Sequence, residues 1–243
     1  VVIKHNNPCG AASNFSINKA YDKAMEGDPT SSFGGIIALN RSVDEYLAKK
    51  IIKNYVQIVI ASNFEKKALR IFKDKKKLIL IKINKNKLKK NFEIKSINEG
   101  YLEQDKNLIK INKKLLVQAS KYKSKSSQLD DLLFALKICK HVKSNAIVLC
   151  KNKKTIGIGA GQMSRIDACK IALKKCSKKE KDGGFVVASD AFFPFTDNVK
   201  LLLKNNCKAI VEPSGSINDY KIVNYLNNNK IPLYFSKNRF FKH

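Results

Sequence analysis

Residues 142–165, VKSNAIVLCKNKKTIGIGAGQMSR, decide how this chain folds. A polar opening, Lys143-Ser144-Asn145, precedes two apolar runs, 146–150 and 155–158, split by Lys151-Asn152-Lys153-Lys154. Two such runs around a short polar turn predict a β-hairpin. Gly157, Gly159 and Gly161 follow, and Gln162, Ser164 and Arg165 stand at the mouth of an expected helix. Glycines before a helix let a backbone approach a ligand closely, and a helix N-terminus favours anions. The G-x-G-x-G spacing is not the dinucleotide fingerprint. Taken alone, the cluster reads as well as a tight turn, and Asn145 as a turn residue.

Working outward, apolar and charged segments alternate along the 243 residues, enough for one large domain or two small ones. No run approaches the ~18 apolar residues of a membrane helix. The opening VVIKHNNP carries neither a basic leader with an apolar core nor a starting Met, so a piece of a longer protein is expected. None of the six cysteines forms a C-x-x-C pair, which argues against a zinc or disulfide framework and for reduced thiols in a cytoplasmic protein.

The net charge of +28 has two readings. One is binding to nucleic acid or another polyanion. The other is coding bias: only Arg41, Arg70, Arg165 and Arg239 are arginines among 48 basic residues, and Lys, Asn and Ile share AT-rich codons. Arginine is the preferred residue for specific phosphate recognition, and this chain avoids it. Bias is the better account, with a basic nucleic-acid-binding protein as the alternative and no specific nucleic acid expected.

Upstream, Val1-Val2-Ile3 is a buried-type strand ending at Lys4-His5, and residues 6–10, NNPCG, break it. Neighbouring residues on a strand point to opposite faces, so Lys4 and His5 can serve one site only if the strand ends between them. A helix is expected over 16–25, a loop over 27–35, a strand over 36–39, and a helix opened by a Ser42/Glu45 capping box. Strand 57–61, a helix capped by Asn63 and strand 78–83 continue the alternation, which predicts an α/β sheet. Residues 85–125 read as strands and loops joining two halves. Downstream come a leucine-spaced helix over 127–141, the hairpin, a helix over 166–177 and a strand over 185–188. The last leads into Ser189-Asp190-Ala191-Phe192-Phe193-Pro194-Phe195-Thr196-Asp197. Those phenylalanines read as a loop pinned to the core or as an aromatic wall for a flat ligand. A helix over 199–204, strand 209–211, the loop Glu212-Pro213-Ser214-Gly215-Ser216, a helix capped by Asn218 and a sheet-closing strand over 231–235 complete the chain.

The segments KHNNPCG, SSFGGIIALN, VKSNAIV, IGIGAGQMSR, ASDAFFPFTDNV, EPSGS and the terminal RFFKH run from Lys4 to His243. In this order they resemble the transformylase part of the bifunctional purine biosynthesis proteins, 5-aminoimidazole-4-carboxamide ribonucleotide (AICAR) formyltransferase. The resemblance implies formyl transfer from 10-formyltetrahydrofolate, as co-substrate, to the 5-amino group of AICAR. It implies a three-layer α/β/α fold of two cytidine-deaminase-like subdomains, over 1–120 and 121–243, and a homodimer with shared sites. It places the proton acceptor on His5, the transition-state stabiliser on Lys4 and a nucleotide contact on Asn145, whose amide can take a catalytic part by orienting the formyl oxygen or the carboxamide. Nucleotide contacts fall on Gly34, Phe192 and Arg239, folate contacts on Arg165, Ile166, Asp197, Ser216 and Ile217. Gln57 stands where the family usually has a nucleotide-contacting carboxylate, and an upstream Arg-Tyr nucleotide element and the cyclohydrolase domain are not in the sequence. An aromatic amine conjugated to a carboxamide is a poor nucleophile, so a base such as histidine suits the step, and an adjacent ammonium can stabilise the oxyanion. No metal is implied. Zinc deaminase chemistry needs H-x-E and P-C-x-x-C, whereas Pro8-Cys9 is followed by Gly10-Ala11-Ala12.

Overall fold

Two sheets flanked by helices make up the chain, whose computed structural model describes residues 1–84 and 92–243. Part of the expected connecting region, 85–91, lies outside the described residues. The first sheet holds β1 (Val2–Lys4), β2 (Asn7–Gly10), β3 (Gly35–Ala38), β4 (Val56–Ala61) and β5 (Ile79–Lys82) in the order β2-β1-β3-β4-β5. β1 runs antiparallel to both neighbours, while β3, β4 and β5 are parallel. Parallel neighbours need long crossovers, supplied here by α3 (Glu45–Ile51) and α4 (Lys66–Lys73). With α1 (Ile17–Glu26), these helices bury Tyr21, Leu47, Ile51 and Phe72 against Ile37, Val59 and Ala61. A short α2 (Pro29–Ser32) stands in the expected 27–35 loop, capped by the Asp28 carboxylate.

The second sheet is built from β8 (Leu116–Gln118), β9 (Ile147–Lys151), β10 (Lys154–Gly159), β11 (Phe185–Ser189), β12 (Cys207–Pro213) and β13 (Leu233–Ser236), ordered β10-β9-β11-β12-β13-β8. Its central strands are buried on both faces. Val148, Cys150, Val186, Ala188, Ala209 and Val211 pack with α5 (Ser126–Cys139). Their alternates Ile147, Leu149, Phe185, Val187 and Ile210 pack with α6 (Arg165–Lys175), α8 (Thr196–Lys204) and α9 (Asp219–Asn228). This period-2 partition produces three layers and explains the near-continuous apolar runs. The α/β class stands as expected. In chain order between β5 and β8, β6 (Phe92–Ile97) and β7 (Gly100–Asp105) form a separate antiparallel ribbon, and α7 (Lys178–Asp182) follows α6.

The halves meet edge to edge at β2 and β10. Ala12 bridges Lys154, the Ala11 N–H donates to Thr155 Oγ1 at 2.8 Å, and the Thr155 N–H donates to the Ala11 carbonyl at 2.9 Å. Asp28 and Glu26 add ion pairs to Lys175 at 2.6 Å and Lys154 at 3.3 Å.

Several local expectations need correction. Residues 7–10 do not end the sheet; they form β2, reached through a two-residue turn with both His5 (φ 47) and Asn6 (φ 62) left-handed. That is the turn whose twist suits a tight hairpin. The cap of α3 is Asp44, whose carboxylate accepts from the Leu47 N–H at 2.7 Å, and not Ser42. The helix after Asn63 begins at Lys66. β13 does not close its sheet: Tyr234 pairs with Gln118, so β8 is the edge. Leu116–Gln118 therefore hydrogen-bonds into the second sheet from the N-terminal side of residue 120. Among the described residues, no helix is long and apolar enough to cross a membrane.

Candidate active site

The glycine run after the hairpin serves packing first. A Cβ on Gly157 or Gly159 would lie 2.1 or 1.9 Å from the carbonyl oxygens of Ala172 and Ala168, so α6 rests directly on β10 at those two glycines. That close approach swings the mouth of α6 over the end of β9. Ser164 caps the helix, its Oγ accepting from the Asp167 N–H at 3.2 Å. Arg165, the first helical residue, turns inward.

Arg165 meets Asp190 in a buried ion pair, with the two side chains 8% and 0% exposed. Its other terminal nitrogen donates to Asn145 Oδ1 at 2.7 Å. The Asn145 amide donates to the carbonyls of Gln162 (2.8 Å) and Met163 (3.1 Å). Asp190 also accepts from the Ser144 hydroxyl and, at 3.1 Å, from the Ala146 N–H. Its carbonyl accepts from the Phe240 N–H at 2.9 Å. The Asp190 carboxylate thus gathers the segment around residue 145 and the start of α6 at the end of β11, and its backbone carbonyl adds the C-terminal tail. A buried charge is tolerated only with such saturation. Asn145, expected to face substrate, has its side-chain donors and acceptor engaged within the protein.

Above this network lies a cleft of about 430 Å³ lined by Asn145, Arg165, Ile166, Phe192, Phe195, Asp197 and Phe241, among others. Five of the expected residues therefore share one wall. Arg239 joins them from the tail, its guanidinium carbon 4.9 Å from the Phe192 ring centroid, a cation–π geometry. No carboxylate lies within ion-pair distance of Arg239 among the described residues.

Lys4, His5 and Gly34 form a second group. β1 ends at Lys4, and the left-handed His5 breaks the pleat between the two residues. The Lys4 ammonium donates to the Phe33 carbonyl at 2.6 Å. Gly34 is left-handed (φ 66), and its N–H donates to the Tyr55 carbonyl at 2.8 Å. Phe33 and Tyr55 lie with ring centroids 5.1 Å apart. His5 is exposed. This turn is tethered to the first group through Asn7, whose Oδ1 accepts from the Lys143 N–H at 2.9 Å.

The remaining residues stand apart. Gln57 is exposed in a depression of about 520 Å³ shared with Tyr55 and residues 74–78. Ser216 and Ile217 follow β12; the Ser216 N–H donates to the Asp219 carboxylate at 3.2 Å, and Ile217 is 93% exposed. Neither lines the cleft. Sequence reasoning missed Asp190 as the organising residue. Its signal was an acid just past a strand that is apolar from Phe185 to Ala188. Burial pushes the thiol of Cys139, beside the network, well up, and that of Cys150 at the other end of β9 likewise, so both are packing residues. No group of three or more His, Cys, Asp and Glu suited to a metal occurs among the described residues.

Comparison with known proteins shows the family of the chain. A family model described as the AICARFT/IMPCHase bienzyme matches residues 1–175. The bifunctional purine biosynthesis protein PurH of Prochlorococcus marinus (strain MIT 9215) is 45% identical over 246 residues, covering all of this chain and 47% of that protein. Its counterparts are 40% identical over 243 residues in Aquifex aeolicus (strain VF5) and 46% over 241 in Fusobacterium nucleatum subsp. nucleatum. They cover 100% and 99% of this chain, and 47% of each relative. The chain spans about half the length of the curated relatives it matches. With the family model extending over residues 1–175 of 243, the chain belongs to the AICARFT/IMPCHase bienzyme family.

Proposed function

We propose that this chain is the formyltransferase part of a bifunctional purine biosynthesis protein, moving a formyl group from 10-formyltetrahydrofolate to the 5-amino group of AICAR. The observation that carries this reading is the cleft on which Asn145, Arg165, Ile166, Phe192 and Asp197 converge, with Arg239 stacked on Phe192. An aromatic wall with a cation free for an anionic group suits a flat nucleotide base bearing a phosphate.

In the proposed reaction, the amine nitrogen attacks the formyl carbon while His5 takes its proton, and the bond from that carbon to the folate nitrogen then breaks, the nitrogen taking the proton from His5, to release tetrahydrofolate. The Lys4 ammonium spends one N–H on the Phe33 carbonyl. Its other two can face the oxyanion, which costs little reorganisation because the ammonium is already held. Arg165 and Asp190 fix the wall rather than take part in bond making.

A hydrogen bond between Asn7 and Lys143 links the two groups of residues, while Ser216 and Ile217 lie off the cleft. That separation favours a homodimer in which two copies complete each site. We further propose two cytidine-deaminase-like subdomains, one per sheet, and a cytoplasmic protein whose partners are small molecules. The direct test is formyl transfer from 10-formyltetrahydrofolate to AICAR by the complete protein, followed by folate absorbance. A folded, complete protein without turnover would overturn the proposal.

A further inference from the structure

Glu212 is fully buried near the end of β12, on the same face of the sheet as Ile210 and its apolar cluster. One carboxyl oxygen accepts from the Phe193 N–H, and the other has no partner among the described residues. The charged groups that act on it are Asp219 and Arg165. Arg165 is already engaged by Asp190 and Asn145, and Asp219 is a like charge engaged by the Gly215 and Ser216 N–H groups. A carboxylate here would therefore be a buried charge held by a single backbone donor, an arrangement that burial strongly disfavours.

The position of Glu212 gives it leverage. Phe193 is fully buried, so its ring and its N–H are both fixed. Its neighbours Phe192 and Phe195 are what reach the cleft. On the other side, Glu212 leads through Pro213 into residues 214–217. We infer that Glu212 is a positioning residue that sets the 192–197 loop against the 214–217 loop by acting as an uncharged acceptor for the Phe193 N–H. The inference deepens the formyltransferase reading and rests on it for the identity of the ligand, but not for the role of Glu212 itself. Burial holds this carboxyl well above the ordinary glutamate value of 4.5, with the Phe193 N–H and Arg165 pulling the other way. In the unfolded chain Glu212 ionises normally. Its contribution to stability is therefore fully present below about pH 4.5 and declines as pH rises toward the folded value.

The test compares the full chain with Glu212→Gln and Glu212→Leu. Glutamine keeps a neutral acceptor; leucine keeps the volume and removes it. Urea unfolding from about pH 4 to about pH 9 should show Glu212→Gln gaining stability over the parent only as pH rises above about 4.5. Hydrogen exchange at the Phe193 amide should remain slow in the parent and in Glu212→Gln, and quicken ~10-fold or more in Glu212→Leu. The apparent KM for 10-formyltetrahydrofolate should rise ~10-fold in Glu212→Leu, with a smaller change in kcat, and return in Glu212→Gln. A pH-independent effect of Glu212→Gln, or Phe193 exchange as fast in Glu212→Gln as in the parent denatured by urea, overturns the inference. If no variant or parent transfers formyl groups, the functional reading fails. The unfolding and exchange arms still decide the role of Glu212.

Discussion

The Lys4 ammonium stands 3.0 Å from the point a Cβ on Gly34 would occupy, and the Tyr55 ring closes the other side at 3.3 Å. Gly34 is also left-handed, at φ 66. Space and backbone conformation therefore both demand glycine. Gly34→Ala should cost about 1–2 kcal/mol through its left-handed conformation. It should also displace Lys4 and lower kcat more than the stability change explains. Urea unfolding and turnover on the complete protein check this, and wild-type turnover in the variant would separate Lys4 from the chemistry.

His5 occupies a left-handed turn position as well as the proposed base position. His5→Ala would mix loss of the base with strain in the turn. Asparagine tolerates this conformation better than most residues, so His5→Asn isolates the chemistry. Formyl transfer should fall ~10²–10⁴-fold with an unchanged unfolding midpoint. Activity within a few-fold of the parent would remove His5 from the mechanism.

Asp190→Asn should be among the most damaging single changes. It leaves Arg165 buried without its counter-charge, and breaking a buried pair from one side costs about 3–5 kcal/mol. Equilibrium unfolding measures the loss; a value below about 1 kcal/mol, the scale of a surface pair, would contradict the central role given to Asp190.

Gln57→Glu should be tolerated, because the side chain is exposed at the start of β4. A restored carboxylate should tighten nucleotide binding when measured calorimetrically in the complete protein. A marked loss of affinity would show that the amide suits a compensating change elsewhere.

Acid should loosen the junction between the halves. Burial acts to raise the Asp28 carboxyl, but hydrogen bonds from Lys175 and Ser31 outweigh it and hold the group below its ordinary 3.8. Such a group contributes stability above its unfolded value, lost as pH falls through the folded one. Amide exchange around α2 should therefore quicken in acid, and Lys175→Met should abolish that dependence. This runs opposite in sign to the dependence inferred for Glu212, so the two are separable in one pH series.

Much of the fold was legible without coordinates because burial leaves a periodic trace. The hairpin over β9 and β10, the leucine-spaced α5 and the alternation of strand and helix followed from spacing alone. So did the end of the first strand between Lys4 and His5. The motifs named the cleft residues, since loops after strands carried nearly all the polar singletons. Strand order was not legible: β8 reaches the edge of the second sheet from a lysine-rich stretch whose pattern resembles solvated loop. Cap choice also escaped, because Ser42 and Asp44 are equally good on paper and only the path of the chain decides between them.

The sequence by itself determined the α/β class, the family and five of the residues that line the cleft, because repeated apolar spacing and long motifs are local properties. Only the tertiary structure decided which partners those residues have. Gly157 and Gly159 look like a ligand cradle in one dimension and prove to be the contact between α6 and β10. Asp190 and Glu212 look like ordinary loop acids, yet one is saturated by Arg165, Ser144 and Ala146 and the other holds a single N–H. Burial and hydrogen-bond partners come from chain segments far apart in sequence, and these set the electrostatic role of a carboxyl group more than its neighbours along the chain do.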